Sequence, residues 1–232
     1  MNPGISRSQI ESALRRFDAG YRHFLHGTPL LKLPGAALGI DCAEVWLKLE
    51  QLQNSGSFKA RGMLNRLLSQ PIPERGVIVA SGGNAGIATA AAAKLLGLTC
   101  EVFVPTISSP AKQARLKALG AQVHVTGAAY ADALAACLER QKQTGALLTH
   151  AYDQPEVVLG AGTLAAEIDR QAGTAPSSIL VSVGGGGLIA GIAAWYARSG
   201  TRVIALEPAL APTLHAALAA GKAVDVSVSG IA

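Results

Sequence analysis

The sequence predicts an α/β protein built on mostly parallel sheets. Three observations carry this. Short Val- and Ile-rich runs alternate with longer Ala-rich stretches; Gly (26) and Ala abound while aromatics make up 4% of the 232 residues; and the glycine-rich loops lead from apolar runs into helices. Parallel strands need a crossover between them, usually a helix, so regular alternation of this kind argues a parallel sheet with helices on both faces. Small residues let those helices approach the sheet and one another.

The elements follow in order. Residues 6–19 read as an amphipathic helix, and Val45-Trp46-Leu47-Lys48-Leu49 as a strand. Ser57 stands where an N-cap would open a helix through about Leu68, ended by Gln70-Pro71-Ile72-Pro73. Strands at 76–80, 99–104 and 121–125 then alternate with helices at 84–96, 110–119 and 129–144. A second series follows: helix 155–172, strand 178–183, helix 187–199, strand 202–206 and helix 212–220. Tyr152-Asp153-Gln154-Pro155 reads as a crossing between two α/β units. In such sheets ligands bind at the carboxyl ends of strands, which selects the loops to inspect.

Composition excludes several classes. Half the residues are hydrophobic and 15% charged, which suits a packed core and not disorder. The formal net charge is +5 and the pI about 9.3, but the basic residues are scattered and not interleaved with aromatics. That is a solvated surface, not a nucleic-acid footprint. Cys42, Cys100 and Cys137 give neither a disulfide framework nor zinc spacing, so they are expected as reduced core thiols in a cytoplasmic protein. Residues 1–25 hold no apolar stretch like that of a signal peptide. The longest apolar run, Ile179 to Ala197, contains five glycines and fits strand, turn and helix, so no membrane span is expected.

Three strand-to-helix loops could carry chemistry. Gln53-Asn54-Ser55-Gly56-Ser57-Phe58-Lys59 puts a lysine in the first turn of a helix. The positive field there lowers a lysine's proton affinity, and a free amine can attack a carbonyl. Taken alone, the same segment reads as a surface lysine beside a capped helix. Ala80-Ser81-Gly82-Gly83-Asn84-Ala85-Gly86 frees backbone N–H groups to meet an anion at a helix N-terminus; alone, it also reads as a flexible lead-in to a cap. Gly184-Gly185-Gly186-Gly187-Leu188, between a strand and a helix, is a phosphate-cradle signal. It also supports a rival. Gly185-x-Gly187-x-x-Ala190 satisfies the dinucleotide fingerprint, with Glu207 at the end of the next strand where a ribose-binding acid would sit. Gly160-x-Gly162-x-x-Ala165 also matches but follows no strand.

Together the loops resemble the pyridoxal phosphate (PLP) enzymes of the tryptophan-synthase-β fold type, fold type II, and most closely their serine/threonine dehydratase branch. The resemblance runs nearly the length of the chain. It rests on Thr28-Pro29-Leu30, Lys48-Leu49-Glu50, Ser55-Gly56-Ser57-Phe58-Lys59-Ala60-Arg61-Gly62 and Ser81-Gly82-Gly83-Asn84-Ala85-Gly86. It continues through Val104-Pro105, Ser109-Pro110-x-Lys112, Leu119-Gly120-Ala121, Asp153-x-Pro155, Gly160-Ala161-Gly162-Thr163, Glu167, Gly184 to Leu188 and Glu207-Pro208. Phe58 speaks for dehydratases, since cysteine synthase-like members usually have Val there.

The resemblance implies two three-layer α/β domains with mostly parallel sheets and the cofactor in the cleft between them. Residues 1–50 and 155–232 would form the large cofactor-binding domain, and residues 51–154 the small domain with the substrate loop. It implies Lys59 as the Schiff-base lysine and base at the substrate Cα, and Phe58 packed on one ring face. Asn84 would sit at the phenolic oxygen, with the amides of Gly184, Gly185, Gly186, Gly187 and Leu188 around the phosphate. Ser81, with the amides of Gly82, Gly83, Asn84 and Ala85, would hold the carboxylate of a small amino-acid substrate. The activity implied is α,β-elimination of L-serine or L-threonine to a 2-oxo acid and ammonia. Alternatives are β-replacement or racemisation on the same scaffold, a dinucleotide-binding protein using Gly185, Gly187 and Glu207, or a non-enzymatic binding protein. A cytoplasmic homodimer or homotetramer is the implied setting.

Some positions depart from the pattern. Gly82 stands where racemase relatives carry a second serine. Ala85 replaces a histidine common in threonine dehydratases, which raises serine relative to threonine. Thr213 takes the place of an acid that serves a cation in some relatives, so no metal is expected. Family members continue past the position of Ala232, which the resemblance places near the second ring face. The expectation is a C-terminally incomplete large domain whose missing sheet edge leaves apolar surface exposed.

Overall fold

The computed structural model describes residues 4–227; Ala232 lies outside them. Helix α1 (Arg7–Asp18) opens with a capping box: the Ser6 side chain accepts from Gln9 N–H, and Gln9 Oε1 accepts from Ser6 N–H at 2.9 Å. It buries Ile10, Ala13, Leu14 and Phe17 along one face. Strands β1 (Leu30–Pro34) and β2 (Glu44–Lys48) pair antiparallel, Leu30 opposite Lys48. Strand β1 is absent from the sequence reading because Leu30-Leu31-Lys32-Leu33 alternates poorly and lies between two prolines.

Helix α2 (Lys59–Leu68) follows a 3-10 turn at Asn54–Gly56. Ser57 is not its cap. Its backbone is extended, its hydroxyl is buried with no partner among the described residues, and Phe58 takes the cap position with no side-chain bond. Then come β3 (Val77–Ala80), α3 (Asn84–Leu95), β4 (Cys100–Val104), α4 (Pro110–Ala118), β5 (Gln122–Val125), α5 (Tyr130–Thr144) and the two-residue β6 (Leu147–Leu148). These four strands form one parallel sheet in the order β5-β4-β3-β6. Strands β3 and β4 are buried along their whole length, which is why they read as unbroken apolar runs. The rest is α6 (Pro155–Ala172), β7 (Ser178–Ser182), α7 (Gly187–Tyr196), β8 (Arg202–Leu206) and α8 (Thr213–Ala220), with β7 and β8 parallel. The α/β class and the parallel pairing are as the sequence predicts.

Two apolar cores result. One gathers Leu64, Val77, Val79, Ile87, Val102 and Val104 with Phe17 and Phe24; the other gathers Ile10, Leu164, Ile168, Val181, Ile192 and Trp195. Helix α6 bridges them through its glycines. A methyl placed on Gly160 would lie 2.3 Å from Arg61 O of α2, and one on Gly162 would lie 2.9 Å from Gly191 O of α7. The helices therefore meet backbone to backbone. This fixes the helix that begins with Lys59 against the helix that the glycine loop feeds. It also explains the second fingerprint match: Gly160 and Gly162 are crossing points inside a helix.

The expected apolar surface is present. On the two-stranded β7–β8 sheet, Leu180 (63% exposed) pairs with Ile204, and Leu206 is also exposed; Leu210 and Leu218 are exposed as well. Replacing Leu180 and Ile204 together with lysine is expected to change stability by no more than about 0.5 kcal/mol per site while reducing self-association. Thermal melting and sedimentation velocity of the two proteins check this; a large loss of Tm would mean that the face is covered.

Candidate active site

Lys59 reaches the site from a tightly wound approach. Ser55 has φ +66° and Gly56 φ +82°, and the Arg115 guanidinium holds this turn by donating to Ser55 O at 3.0 Å. The chain then enters α2 at Lys59, whose Nζ donates to Ala151 O at 2.5 Å. Nζ stands 5.1 Å from the centre of the Phe58 ring and 5.8 Å from that of Tyr152. Burial pulls its pKa down from 10.5 to about 8. The sequence reading credited the helix field; burial is the cause found here.

Beneath Lys59 lies a buried ionic cluster. Arg61 donates twice to Glu50, both at 2.8 Å, and once to Glu167 at 3.0 Å. Lys48 Nζ bonds Glu167 Oε1 and Thr28 O, and the Thr28 hydroxyl donates to Glu50 Oε1 at 2.6 Å. Arg61 and Lys48 together hold the Glu167 carboxyl below the usual carboxylate range against its own burial. Thr28, Lys48, Glu50, Arg61 and Glu167 thus share one structure, tying β1, β2 and α6 to the helix that carries the lysine.

Opposite Lys59 runs the glycine loop. Strand β7 ends with Val183 N–H donating to Leu206 O at 2.8 Å. After that, none of the N–H groups from Gly184 to Ile189 donates to an acceptor among the described residues. Ala190 N–H is the first to close a helical bond, to Gly186 O at 2.9 Å. Gly186 has φ +82°, which only glycine adopts freely. Gly185 and Gly187 are small for another reason: a methyl on Gly185 would lie 2.2 Å from Cδ1 of Tyr152, and one on Gly187 2.8 Å from Tyr152 O.

A cavity of about 720 Å³ is lined by Phe58, Lys59, Tyr152 and Gly184 to Leu188, with Glu207 and Thr213 on its far wall. It brings the predicted amine and the predicted phosphate loop together. Six unpaired amide donors at a helix start suit a phosphate, and a buried amine with lowered proton affinity suits an aldehyde. The residues present therefore fit PLP. None of the substrate-loop candidates, Ser81 to Ala85, is on the cavity's lining. Ser81 is half-buried and its Oγ accepts from Gly83 N–H at 3.3 Å; Asn84 is exposed; Ala85 is buried in a cluster with Met63, Ala88 and Val157 against which Ala151 packs. The N–H groups of Asn84, Ala85 and Gly86 have no acceptor among the described residues.

Glu207 is committed elsewhere. Its carboxylate accepts from the Thr213 hydroxyl at 2.9 Å, Leu214 N–H at 2.6 Å and His215 N–H at 3.0 Å, capping α8. These bonds hold its pKa below the usual carboxylate range. Three of its acceptor positions are thus taken within the chain, which weakens its case as a ribose-binding acid. Among the described residues no three His, Cys, Asp or Glu side chains gather as metal ligands, and no helix is long and apolar enough to cross a membrane. All three cysteines are free, but only Cys100 and Cys137 are core thiols; Cys42 is exposed, in the loop before β2, and corrects the expectation.

The residues that sequence reasoning missed are Ala151 and Tyr152. Their segment reads only as a crossing because a carbonyl contact leaves no residue-type signal. The smallness of Gly185 and Gly187 is the trace that Tyr152 leaves, and it reads equally as a cradle.

Comparison with known proteins agrees with this geometry. The pattern of the family described as "Pyridoxal-phosphate dependent enzyme" matches residues 21–231. An L-threonine ammonia-lyase of Geobacter sulfurreducens is 41% identical over 189 residues, covering 80% of this chain and 47% of the relative. The chain thus spans less than half of that relative's length. Among solved structures, maize serine racemase superposes with a TM-score of 0.88 at 28% identity, over 98% of this chain and 68% of that one. The processed threonine deaminase isoform 2 of Solanum lycopersicum gives 0.85 at 29% identity, over 98% and 67%.

Proposed function

Because the chain belongs to the family of pyridoxal-phosphate dependent enzymes, we propose that it eliminates water from L-threonine or L-serine, with release of a 2-oxo acid and ammonia. The observation that carries this is the Lys59 amine, held at Ala151 O on the same cavity as the unpaired amides of Gly184 to Ile189. The identity to an L-threonine ammonia-lyase supports the reaction class.

On this reading the cofactor, when bound, supplies an electron sink for the pair left at the substrate Cα. The chain's residues do the rest. Amides from Gly184 to Leu188 would grip the phosphate, and Phe58 would pack against one ring face. Asn84 would hydrogen-bond the phenolic oxygen. Lys59 would hold the cofactor and serve as the base at the substrate Cα; with a pKa of about 8 its amine is partly unprotonated near neutrality. Ser81 and the amides of Gly82 to Ala85 hold the substrate carboxylate, so Cα lies over the lysine. Asn84-Ala85-Gly86 is nearer to the serine dehydratase pattern than to the one with histidine at position 85, which raises serine relative to threonine. The division into residues 1–50 with 155–232 and residues 51–154 is proposed on the same ground; the core around Leu164, Ile192 and Trp195 fits it, while Phe17, Phe24 and Leu25 pack into the core of the other unit. Three free thiols fit a cytoplasmic setting.

Racemisation is the second reading, favoured by the likeness to serine racemase. Against it stands Gly82, which offers no side-chain proton. Product analysis of purified protein with PLP and L-threonine or L-serine decides. The expected result is 2-oxo acid and ammonia, lost by about a thousandfold in Lys59→Ala. A D-amino acid or a β-substituted product as the main outcome, or equal turnover by Lys59→Ala, contradicts the reading.

A further inference from the structure

The turn after β6 is braced by two side chains that the chemistry above does not use. Thr149 N–H makes the last sheet contact, to Ile78 O at 2.9 Å. His150 N–H then donates to Gln154 Oε1 at 2.8 Å, and Gln154 Nε2 donates back to Leu148 O at 3.1 Å. His150 Nδ1 accepts Asp153 N–H at 3.0 Å and, at the limit of a bond, Tyr152 N–H at 3.5 Å. Side chains thus satisfy amides that have no ladder or helix partner. The accepting Nδ1 requires the imidazole to carry its proton on Nε2.

Two groups inside this turn face the cavity. The Ala151 carbonyl accepts from Lys59 Nζ at 2.5 Å. The Tyr152 ring lies against Gly185 and its backbone against Gly187, and the His150 ring stands edge-on to the Tyr152 ring at 4.7 Å between centroids.

We propose that His150 and Gln154 are positioning residues whose side chains set the turn 149–154 so that the Ala151 carbonyl holds Lys59 in the cavity and the Tyr152 ring holds the glycine loop. The inference rests on Lys59 being the cofactor lysine and adds what keeps the amine and the phosphate loop in place. A lysine head is strongly hydrated and sits on a flexible stem. It stays out of water only where a fixed acceptor takes its N–H. If the turn relaxes, Nζ regains water and its proton affinity climbs back toward that of a free lysine. The same relaxation takes Tyr152 off Gly185, so the phosphate loop loosens too. One brace serves both halves of the site.

The test uses the full chain with His150→Ala, His150→Asn and Gln154→Ala. Asparagine places an acceptor oxygen close to the position of Nδ1. The first readout is taken without cofactor: the pH midpoint for acylation of Lys59, followed by peptide mass spectrometry. The second is affinity for PLP and for pyridoxal, which lacks the phosphate. His150→Ala and Gln154→Ala are expected to move the Lys59 midpoint up by a pH unit or more. They are expected to weaken PLP at least tenfold, and pyridoxal by less. His150→Asn should stay within threefold of the parent protein. Parent-like midpoint and PLP affinity in folded His150→Ala overturn the proposal, as does an Asn variant that fails as fully as the Ala variant. If His150→Ala does not fold, an unchanged midpoint in Gln154→Ala overturns it. A parent protein that binds neither PLP nor pyridoxal removes the cofactor reading, and the midpoint shift then judges the brace alone.

Discussion

Replacing Arg61 with alanine is expected to lower the free energy of unfolding by about 3–5 kcal/mol, because it strands Glu50 and Glu167 in the interior. Arg61 is 2% exposed and supplies three hydrogen bonds to those two carboxylates. Its own pKa is raised by the same partners. The sign of the pH dependence follows from Glu167, whose folded pKa lies below its unfolded value. Its contribution is present above the usual carboxylate range and is lost as pH falls through the folded pKa. The difference between parent and Arg61→Ala should therefore be largest near neutrality and shrink on acidification. Urea denaturation at pH 7 and pH 4 measures both. A variant less than about 1 kcal/mol weaker at pH 7 would show that the cluster behaves like a surface ion pair. A functional loss should follow, since Arg61 sits half a turn beyond Lys59 on α2.

The second large effect concerns Gly185. Replacing it with valine puts branched carbon where Tyr152 Cδ1 lies 2.2 Å from a single added methyl. Either the ring leaves the loop or the loop moves, and overpacking of this kind costs about 1–3 kcal/mol. PLP affinity should fall by about tenfold to a hundredfold, and the same strain should lower Tm by about 2–4 °C per kcal/mol. Combining Gly185→Val with Tyr152→Ala should restore part of the affinity, since the second change removes the colliding ring. Affinities of the four proteins by absorbance titration give the coupling. Strict additivity would place the cause of the loss in the loop alone.

Much of this was legible in one dimension because the responsible forces are local. The helix at 155–172 and the strand at 202–206 were read to the residue, since Pro155, Gly173 and an apolar β-branched run mark their ends. Glycine runs after strands announced the phosphate loop, and Lys59 stood at a helix start. What escaped depends on contacts between distant residues. Strand β6 is two residues long and exists only because Val77 and Ile78 pair with it. The Ser57 cap failed because the tight turn at Ser55 and Gly56 leaves Ser57 extended and hands the cap position to Phe58. The likeness motifs around Lys48, Glu50 and Arg61 were visible as residues, but their role as a buried ionic cluster needed Glu167 brought from over a hundred positions away. Ala151 acts through a carbonyl, which no residue type reveals.

The central claim is that Lys59, among all the lysines, receives the cofactor. Borohydride reduction of the protein with PLP, then peptide mass mapping, tests it directly. The account predicts a phosphopyridoxyl adduct on the peptide bearing Lys59, with attachment quickening as pH rises through about 8, where the buried amine loses its proton. An adduct spread over surface lysines, or one that persists unchanged in Lys59→Ala, would contradict it.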